Sequence, residues 1–378
     1  MPRRLLFLAC AMVIADTLFY TAIGPLVPLL AEAFALSKAE VGVVGGAFGA
    51  GAIAGSVLSA YLVGRVGVRP VAALGLLALS AASLAFGFAD GFWALALARL
   101  GAGVSNALSW GAAFAWLVSA VPEERRGRAI GALFGTAVFG AVAGPALGGL
   151  AASVGVAATF AGVAVVAAAV GLWALLEPSP APGPSSSLLS FDAVRKVLEP
   201  PLPTGLWLVA LGPMLLAALV VLAPLGLDRL GWGAEAVGAA FLLAALAEAV
   251  VHPLLGRWSD ASGFRAPARA GLVASALVLL GLALTGESPW LLAFLVVLAG
   301  ATFNVTVTPG TALFSGGAEK AGAGLGVVYG AVNFAWATGY ALGAPLAGTL
   351  AGAFGDATSY LALGAACVLT LFSIRRAS

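Results

Sequence analysis

Four side chains carry charge, or can acquire it, inside stretches that are otherwise almost wholly apolar: Asp16, Arg99, Glu248 and His252. Asp16 sits in LLFLACAMVIADTLFYTAIG, Arg99 in FWALALARLGAGV, and Glu248 and His252 in FLLAALAEAVVHPLL. A charged side chain at a bilayer centre costs roughly 2.5–3.5 kcal/mol on insertion scales, so a carboxylate kept there marks a site until shown otherwise. The chemistry open to such a group is narrow. It can hold a proton, hold a cation, or pair with a neighbouring base. Asp16 shares a helical face with Met12, Phe19, Tyr20 and Ile23, and its structural reading is a carboxylate paired with Arg99. Glu248 and His252 stand at i and i+4, so they face the same way and can relay protons or pair structurally. With a single histidine in the chain the ligand count falls short for a metal, and neither metal nor other cofactor is expected.

Polar and aromatic residues surround these candidates. Arg99, Asn106 and Trp110 stand at i, i+7 and i+11, one face of a helix. All three asparagines of the chain, Asn106, Asn304 and Asn333, lie well inside apolar segments. They line a cavity on one reading and join helices by hydrogen bonds on the other. Tyr20, Trp110 and Trp336 are available for cation–π contact with a solute.

The elements that must position these residues follow from composition. Of 378 residues 62% are hydrophobic and 9% charged, where a water-facing domain needs about 25% charged residues. The fold class is an all-α membrane protein. Transmembrane helices need about 20 mostly apolar residues. Twelve segments qualify: 5–33, 39–63, 70–88, 91–120, 127–152 and 155–176, then 204–227, 234–256, 267–285, 289–315, 321–351 and 357–374 (spans 1 to 12). Breaks fall at Ser37, Gly67 with Pro70, Asp90-Gly91, Pro122, Gly155, Gly231, Gly263 with Pro267, Gly286 with Pro289, Gly316-Gly317 and Gly355-Asp356. Residues 177–203, rich in proline, serine and charge, form a linker between two six-helix halves, 1–176 and 204–378. Its stretch from Ser190 to Leu198 has the spacing of a helix lying on the membrane surface. Cys10 and Cys367 fall inside spans and read as packing residues.

The 18 Lys and Arg residues set the orientation. Fifteen fall on one side of this topology, Lys38 and Arg229 on the other, and Arg99 within a span. Basic residues stay cytoplasmic, so both termini and the linker are expected inside. Glu32, Asp90, Glu235, Glu287 and Asp356 end spans and are expected to be solvated. The halves also repeat: the loop Ala60–Arg69 after span 2 returns as Gly256–Arg265 after span 8, and Gly144-Pro145 in span 5 returns as Ala344-Pro345 in span 11. Duplicated halves put a binding cavity between them near the bilayer midplane.

Those loops resemble GxLxDRxGRR, the inner-loop signature of the major facilitator superfamily. Arg99–Gly103 resembles its RxxxG signature, and GAVAGPALGG at 140–149 matches GxxxGPxxGG of its twelve-span drug:proton antiporter branch. The resemblance covers essentially the whole chain, with Ile23–Pro28 closing span 1. It implies that spans 1, 4, 7 and 10 line the central cavity, with Asn106 facing Asn304, and that Asp16 and Arg99 lie at similar depth. It further implies that Gly144 and Pro145 let span 5 bend and seal against proton leak. Gly64 stands where the family keeps its gating aspartate, so Asp260 takes that task in the other half, near Arg125, Arg126 and Arg128, and Arg65 pairs with Glu319.

The function expected is proton-coupled efflux of small apolar or cationic compounds, including multidrug antiport, by alternating access. The partners expected are the solute, protons and the lipid bilayer, with no nucleic acid, for a monomer in a bacterial cytoplasmic membrane. Alternatives are a symporter or exchanger of one metabolite, such as a sugar or organic acid, and a non-transporting membrane sensor or scaffold. An enzyme is not expected, since no nucleophile–base set or GxSxG pattern occurs, and no GxxxxGK[ST] loop supports ATP-driven transport.

Overall fold

The structure is a computed structural model that describes residues 3–121, 123–178, 202–320 and 325–376. The side chains of 3, 118, 123–130, 260, 319–320, 325–327, 329 and 375–376 also lie outside the description. Most of the expected linker, with its surface helix, therefore falls outside it, as does Pro122.

Helices occupy all twelve expected positions. Spans 2 to 6 are Lys38–Val66, Val68–Gly87, Phe92–Ala120, Glu123–Val154 and Val156–Leu176. Spans 7 to 9 are Leu202–Arg229, Ala234–Ser262 and Arg265–Ala283, and spans 11 and 12 are Leu325–Phe354 and Asp356–Arg376. Ten of the twelve are long and apolar enough to cross a membrane. The other two, Phe92–Ala120 and Leu325–Phe354, are 29 and 30 residues long, about 44 and 45 Å of helix. Among the described residues there is no strand.

Two spans are broken, where the sequence suggested continuous helices. Span 1 is Arg3–Thr21 and Val27–Ala33, joined by a 3₁₀ turn at Gly24–Leu26. Span 10 is Pro289–Thr302 and Val307–Lys320, joined by a 3₁₀ turn at Phe303–Thr306. Proline lacks an amide hydrogen and crowds the carbonyl four residues back. Pro25 and Pro28 act on Thr21 and Gly24 in this way, and Pro309 acts on Val305. The expected break at Gly316-Gly317 is absent, because the helix runs on to Lys320.

The other breaks follow their turn chemistry. Gly67, Gly155, Gly231, Gly263, Gly286 and Gly355 all have positive φ, which L side chains rarely adopt. Ser37 and Glu40 make a reciprocal capping box that starts span 2.

Glycine lets the two halves meet, and the internal repeat shows in how they do so. A Cβ on Gly42 of span 2 would fall 2.5 Å from the Ala344 carbonyl oxygen and 3.1 Å from Pro345 of span 11. In the other seam a Cβ on Gly238 of span 8 would fall 3.1 Å from the Pro145 carbonyl oxygen of span 5. The seam between spans 2 and 11 continues through Gly46 and Gly49 to a hydrogen bond from Asn333 Nδ2 to Ser56 Oγ (3.1 Å). The contacts of Gly42 and Gly238 lie toward the end opposite the termini. There Ile23, Val41, Val44, Val220 and Tyr340 enclose an apolar void of about 20 Å³, too small for a solute. The halves therefore meet at the distal end and again, through Asn333 and Ser56, in the part of the bundle nearer the termini.

Candidate functional site

Span 1 carries Asp16 thirteen residues beyond Arg3, about 20 Å along the helix. Span 4 brings Asn106 and Trp110 to the same depth from the opposite direction. Asn106 Nδ2 and Trp110 Nε1 both donate to Asp16 Oδ2, the tryptophan at 3.1 Å. Asp16 is 1% exposed, and its second oxygen, Oδ1, is buried without a hydrogen-bond partner among the described residues. Trp110 continues into an aromatic wall with Phe114 and Phe134, ring centroids 5.7–6.4 Å apart.

Arg99 does not pair with Asp16. It lies seven residues nearer the distal end than Asn106, about 10 Å along span 4, and is wholly buried. Its guanidinium sits 4.7 Å from the Phe48 ring centroid and 5.9 Å from that of Phe19. None of its three side-chain nitrogens has a hydrogen-bond partner among the described residues. The expected similar depth and pairing fail because two helical turns separate Arg99 from Asn106. Gly103 explains how Phe48 reaches Arg99, since its missing side chain admits the backbone of span 2 at Phe48 itself.

In the other half, span 8 carries Glu248 and His252 on the face opposite the exposed Leu243, Leu246, Val250 and Leu254, hence toward the bundle interior. Glu248 Oε1 accepts a hydrogen bond from Asn304 Nδ2 at 2.7 Å and lies 3.7 Å from His252 Nε2. Asn304 stands in the 3₁₀ turn that breaks span 10. Unlike Asp16, Glu248 is half-buried, with 24% of its side chain exposed, and 32% of the His252 side chain is exposed.

Between the two sites and the distal end lies an aromatic cluster shared by the halves. Tyr20 of span 1 meets Phe48 of span 2 at 4.8 Å, and Tyr340 and Trp336 of span 11 at 5.3 and 5.7 Å. Sequence reasoning singled out Tyr20 and Trp336 as solute contacts; the structure uses both to join the halves. Asn333, also read as a cavity residue or helix tie, bonds across the halves to Ser56. Ser56 and Phe48 were missed, one as an ordinary hydroxyl and the other as an ordinary apolar residue. Asp356, expected to be solvated, instead pairs across the halves with Lys38 at 2.5 Å and lies 3.9 Å from Arg229. These are the two basic residues that stood apart in the charge distribution.

The sequence profile of the Major Facilitator Superfamily matches residues 8–339 and 214–377. The chain belongs to this superfamily. Among curated proteins none matches the sequence. Solved structures of several transporters share the fold. A bacterial homolog of the human lysosomal transporter Spinster, inward-facing and unoccupied, aligns with a TM-score of 0.79 at 18% identity, covering 100% of this chain and 96% of that one. The nucleoside transporter NupG aligns at 0.76 and 14% identity, covering 100% and 99%. The human organic anion transporter MFSD10 (TETRAN) aligns at 0.68 and 19% identity, covering 99% and 100%. The protein is thus a multi-pass membrane transporter and not an enzyme.

The glycine- and proline-rich stretch at 140–149 has a visible structural role in this facilitator. Gly140, Gly144 and Gly148 form one strip packed on Thr17, Thr21 and Ala22 of span 1, while Pro145 and Gly149 form another against Gly238 of span 8. The motif thereby fixes span 1, and with it Asp16, while meeting the opposite half. Arg65 ends span 2 with its guanidinium 4.9 Å from the Tyr61 ring centroid. Its expected partner Glu319 lies outside the described side chains, as do Asp260, Arg125, Arg126 and Arg128.

Proposed function

We propose that the protein is a proton-coupled exporter, exchanging inward proton movement for outward movement of small apolar or cationic solutes by alternating access. The observation that carries this reading is Asp16: a mid-membrane carboxylate, anchored through Oδ2 by Asn106 and Trp110, with Oδ1 buried and unpartnered. A carboxylate held by one oxygen keeps the other for a proton, and its burial means that acquiring or losing that proton changes the charge stored in the bundle. Arg99 adds an uncompensated buried cation two turns away, so the balance between them differs in each conformation. On this reading the end of the termini faces the cytoplasm, where the basic residues collect. An exporter loads its solute from that side.

In vesicles with an imposed pH difference, the expected result is solute accumulation by wild-type protein and none by Asp16→Asn, with the fold intact. Accumulation by that variant at the wild-type level makes Asp16 structural. Orientation is tested separately. Thiols placed at Asp90 or Glu287 should label from outside, and one at Ser186 should not. We further propose a monomer in a bacterial cytoplasmic membrane.

A second reading, exchange of a specific anionic metabolite, is favoured by one observation. Arg99 has three unpartnered buried nitrogens, and a carboxylate or phosphate would satisfy them. Arg99→Gln separates the two, since it abolishes transport of an anion but only weakens proton-driven export of a cation.

A further inference from the structure

We propose that Glu248, with His252 and Asn304, docks the cationic centre of the transported solute, a lipophilic organic cation, while Asp16 takes the proton alone. This rests on the reading of the protein as an exporter of cationic solutes and divides its labour between the halves. The first ground is access. Asp16 Oδ1 is sealed, so nothing larger than a proton reaches it without rearrangement of the helices around it. Glu248 has 24% of its side chain exposed on the interior face of span 8.

The second ground is unused bonding capacity. Among the described residues both contacts of Glu248, from Asn304 and His252, fall on Oε1, so Oε2 has none. Asn304 Oδ1 is buried against Gly212 of span 7, as closed to a solute as Asp16 Oδ1 is, so the free acceptor at this site is Glu248 Oε2. A carboxylate oxygen accepts only and carries charge, and such a group suits a cation.

The third ground is the surroundings. The aromatic wall of Trp110, Phe114 and Phe134, beside Asp16 in the other half, leaves Phe134 49% exposed, and aromatic surface is what an organic cation prefers. Arg99, the mid-bundle cation, is screened by Phe19 and Phe48. Asn304 orients the carboxylate and fixes Oε1, leaving Oε2 for the solute. It acts as a positioning residue.

The test is equilibrium binding of tetraphenylphosphonium to the purified full chain, with tetraphenylborate as the probe of opposite charge. Binding is read without a gradient, so it stands apart from transport. Failure of proton-driven transport alongside intact cation binding sinks the coupling mechanism and leaves this site standing. Wild-type protein is expected to bind the cation saturably and to ignore the anion. Glu248→Gln should weaken the cation about tenfold or more, since it removes a partly desolvated charge partner. Glu248→Asp should recover part of that loss, and Asp16→Asn should bind as wild type. On wild-type protein the bound cation should also slow modification of Glu248 by dicyclohexylcarbodiimide, read by mass spectrometry, so the proposal stays testable if Glu248→Gln does not fold. Absence of cation binding, preference for the borate, wild-type affinity in Glu248→Gln, loss in Asp16→Asn, or no protection of Glu248 each overturns it.

Discussion

Each half of the molecule sets a carboxylate against an asparagine, and the two pairs differ in what they leave open. Asn106 and Asn304 are repeat-related, 198 positions apart, as Gly42 and Gly238 are by 196 and Pro145 and Pro345 by 200. The carboxylates are not. Asp16 comes from span 1, whose repeat partner is span 7, whereas Glu248 comes from span 8, whose partner is span 2. Duplication thus preserved the backbone positions that pack and the amides that orient, while each half placed its acid independently. The result is one sealed acid in the N-terminal half and one partly exposed acid in the other. A transporter that handles two species by one motion has use for such an asymmetry, because two equally accessible carboxylates would compete for the same cation.

The largest effect should come from exchanging the roles of the acids. Asp16→Asn is expected to remove gradient-driven transport completely, whereas Glu248→Gln is expected to raise the solute KM and leave proton dependence in place. Transport kinetics in vesicles at two imposed pH differences read both. Equal losses of coupling in the two variants would erase the distinction.

The next effect tests whether the two seams are as unequal as the two acids. Gly42→Ala drives a Cβ to 2.5 Å from a backbone oxygen, while Gly238→Ala meets one at 3.1 Å. Overpacking a close interface costs about 1–3 kcal/mol, so Gly42→Ala should open the distal end while Gly238→Ala does so weakly. Distances between spin labels on the two halves, measured at the distal end, distinguish them.

Removing the orienting amides sharpens the comparison at smaller scale. Interhelical hydrogen bonds in membranes contribute about 0.6–1.7 kcal/mol, so Asn106→Ala and Asn304→Ala should each lower thermal stability in detergent by amounts of that order. Asn106→Ala leaves Trp110 on Asp16, while Asn304→Ala leaves Glu248 with His252 alone. Cation binding should therefore fall only in the second. The smallest effect is expected at the distal ion pair. Lys38→Ala removes a partly exposed contact of about 0.2–1 kcal/mol. A thiol at Val44 should then become slightly more reactive from the distal side, and proton coupling should be unaffected.

The sequence alone determined the class, the twelve spans and the repeat, because these rest on local physics: hydropathy over about 20 residues, glycine at positive φ, basic residues sorted to one side. It also named Asp16, Glu248, His252 and the three asparagines, since a polar group in an apolar run is conspicuous without coordinates. The tertiary structure decided the partners. Arg99 lines up with Asn106 on a helical wheel, yet a wheel carries no depth, and two turns of rise put its guanidinium among aromatic rings instead of beside Asp16. Phe48, Ser56 and Asp356 gained their roles only because helices remote in sequence meet there, at distances that small residues permit. The breaks in spans 1 and 10 fall between these cases: prolines announce them, but where the chain resumes its helix is set by packing. Which acid is sealed and which is open was likewise decided by neighbours, since exposure belongs to the assembled bundle and to no single segment.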